Sequence, residues 1–327
     1  MFRLNLIVSL TTVSLALAFP VMAAELPNFS SDMQKFKNNE MSASPVQVWR
    51  TMPAQPDKTW QRWARAFALD GESVNAVSKT DAQTKYDADN WFLIIDASGR
   101  SGHFHDRQNA EKAFVQKVPV ADSLNDAQVA QLALQAVQSK FLQALPLASD
   151  EEIVPVKVRR GVFSVLDDTT KEIVKTVDKY IVSFFRKKAG QYIFGGGSHL
   201  RVSLTGDGSL IDVKFDWPEY ESAYVEQNFA TQEEILSRTQ TISRNASVKT
   251  ASGTLANTDT TAKSQLRLIM CGYYDPGAKT KRYDRKIQAA CLFSDESAPA
   301  GALQVFAVPA AETPLGDASW QELSLMK

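Results

Sequence analysis

The chain has 327 residues, 44% hydrophobic and 22% charged; that apolar fraction excludes intrinsic disorder, and its scatter excludes a polytopic membrane protein. Thirty-six basic against 37 acidic residues leave a formal charge of −1, so no overall field draws nucleic acid. Two cysteines and three histidines exclude a disulfide-dense mini-domain and a four-thiolate zinc site.

The first residues, Met1-Phe2-Arg3, precede an apolar run from Leu4 to Val21 that ends in Met22-Ala23-Ala24. A basic start, an apolar middle and small residues at the end are the three parts of a secretory signal. Cleavage after Ala23 or Ala24 is expected; the alternative is a retained anchor. No second apolar run of ~18 residues follows, so no transmembrane span is expected once the signal is removed. The expected location is periplasmic or secreted. In such an oxidising compartment Cys271 and Cys291, 20 residues apart, are expected to form a disulfide rather than to stand as free thiols.

Beyond the signal, residues 25 to about 60 read as polar and mixed, with Pro45, Pro53 and Pro56 breaking any long helix. Trp60, Trp63, Ala64 and Phe67 recur at helical spacing and predict a short helix. Trp91 to Ile95 predicts a strand, Asp96 to Gly102 a turn, and His103 to Asp106 a returning strand. Asp122 to Leu145 gives the clearest helix, with Val129, Leu132, Ala133, Ala136, Val137 and Phe141 on one stripe and Ser123 or Asn125 as cap. After it the period becomes two: Ile153–Leu166, Tyr180–Phe185, Gln191–Phe194, Leu200–Leu204 and Leu210–Trp217 read as strands of an antiparallel meander. Thr231 with Glu234 makes a capping box for another helix. Residues 243–263 are poor in large apolar side chains and read as a linker or mobile loop. Leu266 to Phe293 carries both cysteines around a polar turn, and Leu303–Val308 is a last strand.

This order implies an α+β fold, a helix packed on a curled antiparallel β-meander, with a further small β-rich C-terminal region. The domains expected are a signal (1–24), an N-terminal α+β region (25–120), a helix-plus-meander domain (121–242), the linker (243–263) and the C-terminal region with the disulfide (264–327).

The segment Asp178-Lys179-Tyr180-Ile181-Val182-Ser183-Phe184-Phe185-Arg186, the run from Gly190 through Gly195-Gly196-Gly197-Ser198-His199 to Val202, and the turn Gly206-Asp207-Gly208 resemble PepSY-like and cystatin-like exported modules. The resemblance covers roughly residues 122–220. It implies a role in binding, inhibiting or chaperoning other proteins and transfers no functional residues.

The sharpest chemical candidate is His103-Phe104-His105-Asp106. Strand residues i and i+2 share a face, so both imidazoles can reach one metal. Zinc needs a third ligand, for which His199 or a carboxylate is the candidate; Asp106 points to the opposite face of the same strand. The bland alternative is two solvated histidines on a surface strand. Gly195-Gly196-Gly197-Ser198 lacks the ending of a phosphate loop and reads as a strand bend. Asp150-Glu151-Glu152 reads as solvated turn carboxylates, and Lys279 to Lys286 as a solvated basic hairpin tip. Trp49, Trp60 and Trp63 line either a sugar-binding surface or the core.

The leading expectation is an exported, non-enzymatic protein that binds another exported protein or an envelope component, with no cofactor. Two alternatives stand beside it: a metal-dependent hydrolase using His103, His105 and zinc, and a carbohydrate-binding module.

Overall fold

The computed structural model describes residues 45–52, 56–66, 74, 76–115, 118–145, 147–166, 170–239, 266–275, 277, 286–295 and 304–312. The expected signal, the 243–263 segment and most of the Lys279–Lys286 cluster lie outside the described residues.

The α+β expectation is overturned. The described residues are predominantly β, with fifteen strands joined into one large mixed sheet and only short helices among them. The first strands are β1 (Pro45–Thr51), β2 (Ala76–Lys79), β3 (Gln83–Asp87), β4 (Trp91–Asp96), β5 (Ser101–Asp106) and β6 (Val118–Pro119). Two 16-residue strands follow, β7 (Glu151–Leu166) and β8 (Ile173–Lys188). Then come β9 (Gln191–Phe194), β10 (His199–Thr205), β11 (Leu210–Asp216) and β12 (Tyr220–Asn228). The last are β13 (Leu266–Tyr274), β14 (Lys286–Asp295) and β15 (Gln304–Pro309).

The main path runs β12-β1-β14-β13-β9-β8-β10-β11-β5-β4-β3-β2, with β7 and β6 on β8 and β15 on β14. All pairs are antiparallel except β9 with β13. The C-terminal strands are therefore part of the same sheet and not a separate small region. β1, which lies in a stretch read as irregular from its prolines, pairs with both β12 and β14. Pro45 sits at its first residue, where a missing N–H is tolerated.

The helices cover one face of the first half of this sheet. α1 (Pro56–Ala66) buries Thr59, Trp63 and Ala64; α2 is Arg107–Val115, and α3 (Asp126–Ala136) buries Val129, Ala130 and Ala133. The predicted long helix is interrupted at both ends. Val120–Asp122 forms a 3₁₀ turn, and the Ser123 hydroxyl donates to the Val120 carbonyl. Asn125 is the cap: its side chain accepts from the Gln128 N–H at 2.9 Å, and the Gln128 side chain accepts from the Asn125 N–H. At the other end Val137–Phe141 widens into a π-turn. The capping box at Thr231 forms as predicted and opens helix 232–239.

Beneath α1 and α3 lies the principal core. Leu93 and Ile95 of β4, Phe104 of β5, Val213 and Phe215 of β11, Val202 of β10, and Tyr180, Val182 and Phe184 of β8 pack against Trp63, Val129, Ala133 and Phe141. Trp63 stacks on Phe215 with ring centroids 4.4 Å apart.

On β8 the inward alternation of Tyr180, Val182 and Phe184 continues into Arg186 and Lys188, only 1% and 2% exposed. The Arg186 guanidinium lies between the rings of Trp217 and Tyr220, each centroid 4.7 Å away, and donates to the Pro218 carbonyl at 2.5 Å. It also pairs with Glu151, whose side chain is equally buried and which accepts from Lys188 at 2.9 Å. Lys188 sits over the Trp49 ring at 4.3 Å. Beside them the Tyr220 hydroxyl donates to buried Asp275 at 2.7 Å. Side chains from β1, β7, β8, β12 and the end of β13 thus meet in one buried polar junction. Gly195 allows the close approach there: its φ is 110°, and a Cβ would press on the Tyr274 ring at 2.8 Å.

The C-terminal strands carry their own core around Phe229, Ile235, Leu268, Phe293 and Val308. Cys271 and Cys291 stand directly opposite each other on β13 and β14, with Cα atoms 4.1 Å apart, and form a disulfide inside that core. No helix among the described residues is long and apolar enough to cross a membrane.

Two outcomes are expected. Cys271→Ser and Cys291→Ser should each lower stability by ~2–4 kcal/mol, with the double variant no worse than either single one; urea denaturation of the three variants measures this. The second concerns alkaline pH. Burial, reinforced by Asp275, pushes the Tyr274 phenol up to about 12, and burial with the same carboxylate pushes Tyr220 well above the ordinary tyrosine value of 10.0. A group whose folded value is raised contributes stability fully below its unfolded value, and loses it as pH rises through the folded one. Stability should therefore decline from about pH 10 to about 12. Tyrosinate absorbance from these two residues should rise only together with loss of near-ultraviolet circular dichroism, and Tyr220→Phe should shrink that late step.

Candidate functional site

β4, β5 and β11 lie side by side. The turn joining β4 to β5 is tied by Asp96, whose side chain accepts from the Arg100 and Ser101 N–H groups at 3.0 and 3.2 Å. Strand alternation sends Leu93, Ile95, Phe104, Val213 and Phe215 into the core, so Phe92, Ile94, His103, His105, Asp212 and Lys214 face the other way. Register places Asp212 opposite His105, Lys214 opposite His103, and Phe92 opposite His105.

One carboxylate oxygen joins the two histidines. Asp212 Oδ1 lies 2.8 Å from His103 Nε2 and 2.7 Å from His105 Nδ1. A carboxylate only accepts, so both imidazoles donate. All three side chains are about a quarter exposed. Partial burial pushes the Asp212 carboxyl up, but the hydrogen bonds from His103 and His105 outweigh it and hold the group below its ordinary value. Phe92 walls one side, stacked on His105 at 5.0 Å and edge-on to His103 at 5.4 Å. Behind Phe92, Lys85 and Arg107 both pair with Asp87, which offsets one of their two positive charges.

The three atoms that converge are two imidazole nitrogens and a carboxylate oxygen, a donor set able to hold a divalent transition ion once the nitrogens give up their hydrogens. The third member is Asp212 and not His199. His199 begins β10, opposite Asp216, with β11 between it and β5, and its Nδ1 lies 2.9 Å from the Gly196 carbonyl. Asp106 points to the opposite face, where it accepts from the Asn109 N–H at 2.8 Å at the start of α2. The sequence places Asp212 in a strand and does not single it out; its partnership needs the β5–β11 register.

The remaining candidates separate. Trp49 and Trp63 are buried in different cores, and Trp60 is half-buried and stacked on Tyr86 at 3.9 Å, so the three tryptophans do not share a surface. Glu151, read as a solvated turn carboxylate, is buried against Arg186 and Lys188. Glycines 195 to 197 are a bend after β9.

No protein-family model and no curated protein matches the chain. Among solved structures it is similar to an uncharacterized protein from Eubacterium rectale ATCC 33656, at 11% identity and a TM-score of 0.40, covering 88% of this chain and 89% of that one.

Gly102 sets how closely β5 approaches the core beside His103. A Cβ there would collide with the Ile94 carbonyl and meet the Phe215 ring at 2.6 Å. Gly102→Ala is expected to cost ~1–3 kcal/mol by overpacking, measured by chemical denaturation, and to disturb the His103–Asp212 contact, seen as shifted imidazole resonances in NMR.

Proposed function

We propose that this is an exported protein that acts by binding another exported protein or an envelope component, and that the β7–β8 hairpin is its contact surface. The observation that carries the reading is the far half of that hairpin. Among the described residues β7 has β8 as its only strand neighbour, so a row of backbone donors and acceptors faces outward along its length. The tip is apolar as well: Val162, Phe163, Leu166 and Ile173 are 48%, 52%, 56% and 74% exposed. Long apolar edges invite pairing, and natural proteins blunt them unless they are used. Pro155 and the bulges at Pro155/Lys157 and Gly161/Val162 interrupt the near part of the edge, while Val162 to Leu166 runs without interruption against Val177 to Ile173. Strand addition by an extended apolar segment fits such an edge. The apolar leader ending in Ala23-Ala24 and the buried disulfide support export.

A photo-crosslinking residue placed at Phe163 in the full chain tests this in intact cells. A discrete adduct is expected at Phe163 and none at exposed Ala82, on the turn between β2 and β3. Val162→Lys with Leu166→Lys should abolish the adduct while leaving the unfolding midpoint within a few degrees. Adducts that survive both lysines, or that form equally at Ala82, would overturn the reading.

A further inference from the structure

The joining of His103, His105 and Asp212 is more specific than a surface hydrogen-bond cluster requires. We propose that these three residues form a binding site for a divalent transition ion of the zinc class, with a coordination position left open to solvent. Three arguments carry it. The first is convergence: donor atoms from two neighbouring strands lie within 4.8 Å of one another. Both imidazole nitrogens point at the same carboxylate oxygen, at 2.8 and 2.7 Å. Tetrahedral zinc with ligand bonds of about 2.0–2.2 Å separates its ligand atoms by about 3.3 Å. Seating the ion opens the two imidazole–carboxylate contacts by roughly half an ångström and draws the two imidazole nitrogens, which lie within 4.8 Å of each other, closer together. The ion takes the place of the two hydrogens that now lie between the imidazoles and the carboxylate: in each neutral ring the hydrogen moves, by exchange with water, from the inner to the outer nitrogen, and the inner nitrogen becomes the ligand.

The second argument is platform rigidity. His103 and His105 stand at i and i+2 on β5, and Asp212 is directly across on β11. Phe104 between the histidines and Val213 beside Asp212 are locked into the principal core. The three Cα positions are thus fixed by packing, and metal binding has little backbone to order. The third is the surroundings. Phe92 covers one side of both imidazoles and keeps water from it, as apolar shells do around metal sites. Asp87 pairs with both cations behind Phe92 and offsets one of their two charges, which lessens their repulsion toward an incoming ion.

The chemistry of the donors selects the ion. Two neutral imidazoles and one carboxylate suit Zn²⁺, Cu²⁺, Ni²⁺ or Co²⁺, whereas Ca²⁺ and Mg²⁺ favour all-oxygen sets.

Calorimetry with Zn²⁺ on untagged, chelator-treated mature protein tests the site. One equivalent should bind, His199→Ala should bind as well as wild type, and His103→Gln or His105→Gln should bind on the order of 100-fold more weakly. Millimolar Mg²⁺ or Ca²⁺ should not compete. Because a histidine variant can fail to fold, Co²⁺ loaded into the wild-type protein supplies a second readout: intense visible bands of a four- or five-coordinate ion are expected. Absence of binding, binding that persists in the His103→Gln, His105→Gln double variant, loss of binding in His199→Ala, displacement by Mg²⁺, or only the weak bands of six-coordinate Co²⁺ would each overturn the proposal.

Discussion

Arg186 and Lys188 occupy positions where the alternation of β8 would otherwise deliver two more apolar side chains to the interior. A charge buried alone is untenable, so the surrounding strands have to arrive with compensation. Glu151 comes from the start of β7, directly opposite Lys188 in register. Trp217 and Tyr220 come from the far side and present their ring faces to the guanidinium. Trp49 from β1 does the same for Lys188. Removing one member of such a group costs about 3–5 kcal/mol, because the other is left charged and dry. The junction therefore sets the relative placement of the two halves of the sheet: the charges can be satisfied only when β1, β7, β8 and β12 are all in place.

Much of this was legible in residues, and what was not had a physical reason. The period-two run through Val154, Val156 and Val158 and the hairpin around Cys271 and Cys291 were strands because alternation and turn chemistry are local. The short helix at Trp60–Trp63 and the capping box at Thr231 were local too. Fold class was not local. Pro45 drew the reading away from β1, although Val46, Val48, Trp49 and Thr51 are strand-forming types; its place between β12 and β14 is a long-range fact. A strong helical stripe from Val129 to Phe141 weighted the reading toward α+β, although α3 is only 11 residues long and lies on a sheet of fifteen strands. Glu151 looked solvated because it adjoins Asp150 and Glu152. The contrary sign was already in β8, where Tyr180, Val182 and Phe184 are followed at the same spacing by two cations.

The candidate site divides in the same way. The pairing of His103 with His105 follows from strand geometry alone. Choosing Asp212 over His199 as their companion depends on which strand lies beside β5, a long-range fact. Packing on the inner face then gives the outer face its precision: Phe104 and Val213 fill the principal core, and in doing so fix where the imidazoles and the carboxylate emerge. The outward hairpin tip is the opposite case. From Val162 to Leu166 only Val165 is partly buried by the described chain, so little inside the fold dictates those side chains.

The position of β1 bears on the timing of assembly. Trp49 pairs with Ile287, so an early-made strand waits for a partner roughly two hundred residues further along. At about 5–20 residues per second, elongation alone separates the two by tens of seconds. Lys188 and β12 are made within that interval, but until β14 follows, β1 lacks its second strand neighbour and the nascent chain cannot close its sheet. A chain truncated before β14 would hold every residue of the principal core, which ends at Trp217, and would still be left with an open seam beside β1 that no local refolding can repair.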